Sequence, residues 1–388
     1  MRDTTLSLAE NQQPTQRYPN EEVLSMIDQS DLQKLVGFDA SSKEAAVLSL
    51  YLDVDPRGRT VEQYRLALRH LLESVNGNAT KEDRARIERF VEMEYDRQSR
   101  GLVCFSCEAE NLWYAFPLMA PVSDTVFTGL RPYIKPLGGI MDTYGRYGVV
   151  LVDKEGGRIF VFNLGAVEGI TDVVGEDVKR HKQGGWASAR FQRHEDEAAY
   201  RNLKDAAEIT AELVRTGQMR RLILAGTDAN VAQFTTLLPK QAQQAIVATL
   251  SADVSTNATE IGERSLALIR EVDATRKQQL VERLVTTASK DGPATLGLAR
   301  TLAAGFAGRV YHLVLDDSYA APAVRCDNCG YVGVEEAAVC PLCEATLRVL
   351  PDAADSLVRW AMTQDLEVTF LHDDALHETG HIGAFLRY

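Results

Sequence analysis

Residues Lys179–Tyr200 read KRHKQGGWASARFQRHEDEAAY. Between Val178 and Arg193 there is no carboxylate, although the chain as a whole carries a net charge of −13. The basic residues Lys179, Arg180, Lys182, Arg190 and Arg193 surround the pair Gly184-Gly185, and a charged, helix-forming stretch follows from about Glu195 to Thr216. Two adjacent glycines lack both Cβ atoms, so their backbone can adopt φ > 0 and approach another molecule closely. Exposed N–H groups in such a loop donate to an anion or a developing oxyanion. Gly-Gly pairs are most often plain turns and basic runs are most often solvated faces. The functional weight therefore falls on the flanking residues.

Those flanks carry a resemblance. Arg180-His181-Lys182 leads into the glycines, and Arg190-Phe191-Gln192-Arg193 follows them. The passage resembles the Gly-Gly-Gln loop of class-1 peptide release factors of the archaeal and eukaryotic type. In that loop a Lys/His-rich lead precedes the glycines and an Arg-Phe-x-Arg segment opens a long helix. Trp186 stands where those factors have glutamine. A bacterial branch of the family, and related tRNA hydrolases of ribosome quality control, displace the glutamine further along the loop. In the bacterial branch the expected position corresponds to Ser188. Gln183 and Gln192 flank the loop as alternatives.

The resemblance extends outward. Tyr147–Asp153 (YGVVLVD) and Arg158–Asn163 read as two strands of a hairpin about a Lys-Glu-Gly-Gly turn at 154–157. Leu222–Gly226 (LILAG) reads as a buried parallel strand. The order strand, strand, glycine loop, long helix, LILAG resembles the middle domain of the release factors. Helices are expected at 230–238, 239–244, 258–285, 297–304 and 353–363, and strands at 246–250, 310–315 and 367–371. The C-terminal Thr379–Tyr388 resembles the glycine-rich end of the release-factor C-terminal domain, a fold similar to a ribosomal RNA-binding domain. The first block is the weakest match. Ala45–Val54 alternates like a half-buried strand, 60–75 and 80–95 read as helices, and 101–107 and 112–117 as strands. The expected fold class is α/β with three domains. A loose tail spans 1–30, an N-terminal α/β domain 31–141, a middle domain with a mixed sheet 142–256, and a C-terminal α/β domain 257–388.

All six cysteines fall in Cys-x-x-Cys pairs. Cys326/Cys329 and Cys340/Cys343, with turn-forming neighbours, supply four thiolates in the spacing of a structural zinc ribbon inserted at about 324–350. Archaeal release factors carry a zinc minidomain at the corresponding place. Cys104 and Cys107 lie in a strand, where residues three apart point to opposite faces, so they are not expected to share a metal. His377-Glu-Thr-Gly-His381 fits the His-Glu-x-x-His pattern of zinc proteases. Gly380 disfavours the helix that chemistry needs, and no third ligand sits at a usual distance.

Composition is that of a globular protein: 45% hydrophobic and 25% charged. No apolar run approaches the roughly 20 residues of a membrane span, and no leader pattern is evident, so a cytoplasmic protein with no membrane contact is expected. The acidic total argues against a generally basic RNA-binding surface and concentrates any RNA contact on the loop. The resemblance implies a peptidyl-tRNA hydrolase on ribosomes. Gly184, Gly185, Trp186 and Ser188 would form its catalytic segment, and Lys179, Arg180, Lys182, Gln183, Arg190, Gln192 and Arg193 would contact tRNA or rRNA. It also implies one structural zinc and, through the C-terminal domain, a translational GTPase as candidate partner. The Asn-Ile-Lys-Ser loop used in stop-codon reading is absent, which favours ribosome rescue over termination. Two alternatives stand: a non-catalytic, pelota-like surveillance factor, and a nuclease acting at the tRNA 3′ end. A bare zinc-ribbon RNA binder would explain only residues 326–343.

Overall fold

The computed structural model describes residues 27, 29–40, 46–75, 78–153, 156–174, 188–334, 337–372 and 375–388. Of the tail assigned to 1–30, residues 1–26 and 28 lie outside this set, and helix α1 (Gln29–Gly37) already begins within it. The N-terminal part continues with β1 (Val47–Asp53), α2 (Val61–Ser74), α3 (Lys81–Arg89, ending in a π-helical turn over Phe90–Glu94), β2 (Gly101–Cys107), β3 (Leu112–Leu118), β4 (Thr125–Gly129) and α4 (Lys135–Tyr144). Thr60 forms a reciprocal capping box with Gln63 at the start of α2. Thr80 caps α3 by accepting the Asp83 N–H.

The antiparallel sheet runs β3-β2-β1-β4. Strand β1 is buried on both faces, not half-buried as its alternation suggested. Leu48, Leu50 and Leu52 pack under α2 and α3, while Val47 and Tyr51 pack under α1 and α4. The polar residue that mimicked an exposed face is Ser49, fully buried, whose Oγ accepts the Tyr133 N–H at 2.9 Å. Cys104 and Cys107 enter the two different cores, on opposite faces of β2 as expected.

The middle part comprises β5 (Tyr147–Val152), β6 (Gly156–Asn163), β7 (Ala166–Val174), α5 (Ser188–Arg215), β8 (Leu222–Gly226), α6 (Asp228–Leu237), α7 (Lys240–Gln244) and β9 (Ile246–Ser251). The mixed sheet runs β7-β6-β5-β8-β9, with β5, β8 and β9 parallel and β5, β6 and β7 antiparallel. Gly156 and Gly157 are the first residues of β6, not part of the turn. A Cβ on Gly157 would meet Ala206 Cβ of α5 at 3.1 Å, so the glycine lets the long helix lie close on the sheet. Strand β7 was not expected from the sequence.

Next come α8 (Ala258–Ser289), β10 (Ala294–Leu296), α9 (Leu298–Phe306), β11 (Val310–Asp316), β12 (Ala323–Cys326), β13 (Val332–Gly333), β14 (Leu347–Leu350), α10 (Ala353–Thr363), β15 (Glu367–Leu371) and β16 (Ile382–Leu386). The C-terminal sheet runs β10-β16-β11-β15, and a small three-stranded sheet, β13-β12-β14, is inserted between β11 and α10. Helix α8, 32 residues and about 48 Å long, serves two sheets. Ile261 and Ile269 cover the middle sheet opposite α5, whereas Leu280 and Leu284 cover the C-terminal sheet opposite α9 and α10.

Helix α4 joins the parts. At its start Asp355 of α10 accepts the N–H groups of Ile134 and Lys135 at 3.1 and 3.0 Å. The Lys135 ammonium pairs with Asp352 at 3.0 Å. Arg359 donates to the carbonyls of Leu35, Val36 and Pro132, tying α10 to the end of α1. Near the end of α4, Asp142 pairs with Lys277 at 2.9 Å and Arg276 at 3.0 Å and accepts the Phe370 N–H of β15 at 3.0 Å.

Candidate functional site

Two elements frame the glycine loop. Edge strand β7 ends at Val174 and α5 starts at Ser188. Lys179, Arg180, Lys182, Gln183, Gly184, Gly185 and Trp186 lie outside the described residues. Ser188, Arg190, Gln192 and Arg193 fall within the first two turns of α5, with side chains outside the described set. The helix was expected to begin near Glu195. It begins seven residues earlier because Ser188–Arg193 contains helix-favouring Ala, Arg and Gln and no breaker. Positions 190 and 193, three apart, therefore share a helix face. The helix is anchored further along, where Leu203, Ala206 and Ala207 are buried against Val150, Val152 and Ile159. A loop that enters from an edge strand leaves on a 28-residue helix packed into the core of the same sheet.

The second candidate is the cysteine cluster. Strand β12 ends on Cys326, and the chain turns so that the Cys326 N–H meets the Tyr331 carbonyl and the Gly330 N–H meets the Cys326 carbonyl, at 2.8 and 3.0 Å. Gly330 takes φ +78° at this knuckle. The second knuckle repeats the pattern, with Cys340 N–H to Ala345 O and Glu344 N–H to Cys340 O at 2.8 and 2.9 Å. The result is Sγ–Sγ separations of 3.4 Å for Cys326–Cys343 and 3.5 Å for Cys329–Cys340, with all four sulfurs within 4.8 Å of one another. Cys326 and Cys340 are buried, while Cys329 and Cys343 lie on the open side. The Asn328 side chain, then the Ala345 N–H and Cys326, pull the Cys343 thiol down to about 6. Against the Tyr331 N–H, which lowers it, burial and the neighbouring thiols push Cys329 up to about 12. Cys343 and Cys329 are thus displaced in opposite directions within one cluster, a conflict that a shared cation removes. The set can hold a metal ion. By contrast, burial alone raises the Cys104 thiol far above its ordinary value, as for an inert core cysteine.

The His377–His381 motif does not form the α-helix of a zinc protease. His377–Thr379 is a single 3-10 turn, closed by Gly380 at φ +92°. No helix among the described residues is long and apolar enough to cross a membrane.

Residues 132–274 match a family model described as bacterial archaeo-eukaryotic release factor family 10. The matched region starts just before α4 and ends within α8, beyond Ile269, where that helix leaves the middle sheet. Peptide chain release factor subunit 1 of Thermococcus kodakarensis is 21% identical over 287 residues, covering 66% of this chain and 69% of the relative. Its counterpart in Thermococcus sibiricus is 22% identical with the same coverage. Among solved structures, an archaeal translation termination factor is 16% identical with a TM-score of 0.26, covering 95% of this chain and 100% of that one. A model of ribosome-bound archaeal Pelota and ABCE1 is 14% identical with a TM-score of 0.42, covering 94% of this chain and 95% of that one. The sequence matches relate the chain to the bacterial branch of the archaeo-eukaryotic release factors, the kinship that the glycine loop and its flanks implied.

Proposed function

We propose that the chain is a release-factor-like peptidyl-tRNA hydrolase that acts on ribosomes, in rescue of stalled ribosomes more than in stop-codon termination. The observation that carries this reading is the position of the basic glycine loop. It spans the gap between β7 and α5 inside the region matched by the release-factor family model. In the proposed reaction water adds to the ester carbonyl carbon joining peptide to tRNA. The bond to the ribose 3′ oxygen breaks, and that oxygen takes a proton. The products are a free peptide carboxyl and a tRNA 3′-hydroxyl. Gly184 and Gly185 allow close backbone approach, the Trp186 N–H donates to the developing or departing oxyanion, and Ser188 orients water. A serine without a positioned base is a poor nucleophile, so its role is positioning. Lys179, Arg180, Lys182, Gln183, Arg190, Gln192 and Arg193 contact tRNA or rRNA, the arginines through their forked donors.

The same reading assigns zinc to Cys326, Cys329, Cys340 and Cys343. Bonds of about 2.3 Å to a tetrahedral ion separate sulfurs by about 3.8 Å, a spacing the cluster brackets. A closed four-thiolate set leaves no position for water, so the ion's role is structural. The three-domain division at 31–141, 142–256 and 257–388 belongs to this proposal, with α8 bridging the last two. A translational GTPase is its candidate protein partner, and action on ribosomes implies the cytoplasm.

Trp186, in place of the catalytic glutamine, favours one rival: a pelota-like factor that binds stalled ribosomes without hydrolysis. Release of labelled peptide from purified stalled ribosome–peptidyl-tRNA complexes separates the two. The hydrolase reading predicts release by the native chain and, for Gly185→Ala, a rate lower by about 100-fold or more with ribosome binding kept. Binding without release by the native chain supports the rival.

A further inference from the structure

The His377–His381 turn, no protease motif, nevertheless brings two imidazoles together. Asp316, at the end of β11, is fully buried, and its two oxygens accept the Leu376 N–H at 3.1 and 3.2 Å. Its Oδ2 also lies 2.9 Å from His381 Nδ1. An ionised carboxylate only accepts, so the contact calls for the proton on His381 Nδ1, which in the neutral ring leaves the Nε2 lone pair outward. The ring is held from the side by Tyr319, stacked at 5.0 Å and 11°. The backbone is equally constrained. Gly380 and His381 take φ +92° and +63° in succession, and the His381 N–H and carbonyl are tied to Leu376 O and Asp316 N. A left-handed conformation is uncommon at a residue with a side chain. Here it turns His381 back over His377.

The two rings meet through His381 Nε2 and His377 Nδ1, 3.3 Å apart. The contact lies within hydrogen-bond range, with donor and acceptor set by the tautomers. Its length is also the separation set by a tetrahedral ion with metal–nitrogen bonds of about 2.0–2.1 Å, which places the nitrogens roughly 3.3–3.4 Å apart. A carboxylate on the far nitrogen of a ligating histidine is the usual support for such a ligand, because it fixes the tautomer and raises basicity. His377 is exposed and His381 is a quarter exposed, so an ion can reach the pair from solvent.

We propose that His377 and His381 form a second metal site, independent of the four cysteines. It takes an imidazole-preferring divalent ion such as Zn2+ or Ni2+. Asp316 and Tyr319 position His381, and the remaining coordination positions are open to water or an external oxygen ligand.

The test is titration of Ni2+ into the full chain with its cysteines already zinc-loaded, followed by imidazole 15N NMR. Ni2+ is paramagnetic, so the signals of the binding rings broaden selectively, and Zn2+ repeats the titration with resolved shifts. His377 is exposed, so His377→Gln should leave the fold intact. Native chain is expected to bind one added ion, perturbing His377 Nδ1 and His381 Nε2 together. His377→Gln should lose this site, and Asp316→Asn should weaken it roughly 10–100-fold. His70→Gln, a substitution on the exposed face of α2, should change nothing. Equal ion uptake by native and His377→Gln chains, or resonances of the pair that stay unmoved at saturating ion, would overturn the proposal. The imidazole readout is specific to the histidines, so it reports on this site whatever fills the cysteines.

Discussion

Helix α4 is held at its two ends by charged clusters of opposite construction. At the N-terminal end, Asp355 is buried against two backbone N–H groups, while the nearest arginine, Arg359, spends its guanidinium on three carbonyls. Burial outweighs Arg359 and the N–H donors and raises the Asp355 carboxyl to about 6. At the C-terminal end, Lys277 sits between Asp142 and Asp273 at 2.9 and 2.7 Å, with Arg276 on both carboxylates at 3.0 Å. There burial raises Asp273, but Lys277 and Arg276 together overcome it and hold the carboxyl below its ordinary value. A buried carboxylate is therefore strained or stabilised according to where the neighbouring cation directs its donors. Both clusters join α4 to the C-terminal sheet and its helices.

The contrast can be broken by substitution. The largest effect is expected for Lys277→Ala, which leaves two buried carboxylates with Arg276 and, at 3.9 Å from Asp273, Arg221. It should lower unfolding free energy by about 3–5 kcal/mol, read by denaturant titration. Arg359→Ala removes donors from the carbonyls of Leu35, Val36 and Pro132 and should cost about 2–3 kcal/mol. The pH dependence comes next. The unfolded Asp355 loses its proton near the ordinary carboxylate range while the folded one keeps it to about 6. Stability from this group should thus fall as pH rises from about 4 to 6, on the order of 2 kcal/mol. Asp273 has the opposite sign: its contribution is present above the ordinary carboxylate range and is lost as pH falls below it. The smallest effect is expected for Asp355→Asn, within about 1 kcal/mol at neutral pH, because an amide oxygen still accepts the two N–H groups. Its signature is loss of the slope between pH 4 and 6. A slope unchanged by Asp355→Asn would remove the contrast between the two ends.

Local chemistry was legible in the sequence, and long-range partnership was not. The cysteine knuckles declare themselves because each is closed within five residues by its own backbone hydrogen bonds. The order of β5, β6, α5 and β8 was equally readable from apolar runs and the long charged helix. Strand β7 was missed because Glu168, Gly169 and Asp172 interrupt its apolar pattern, as charged residues commonly do on a sheet edge. Ser49 made β1 look half-exposed, since its partner Tyr133 lies 84 residues away. The Asp355 and Asp142 clusters depend on contacts across 220 and 134 positions, which no local pattern can signal. The glycine loop itself is known from its sequence and from the two elements that frame it.

The most direct measurement of the proposed chemistry is the state of the tRNA 3′ end after single-turnover reaction of the native chain with stalled ribosome–peptidyl-tRNA complexes. Ester hydrolysis predicts full-length tRNA ending in a free 3′-hydroxyl, formed at the same rate as free peptide. A shortened tRNA with nucleotides still attached to the peptide, or peptidyl-tRNA left unchanged while the chain is bound, would contradict it.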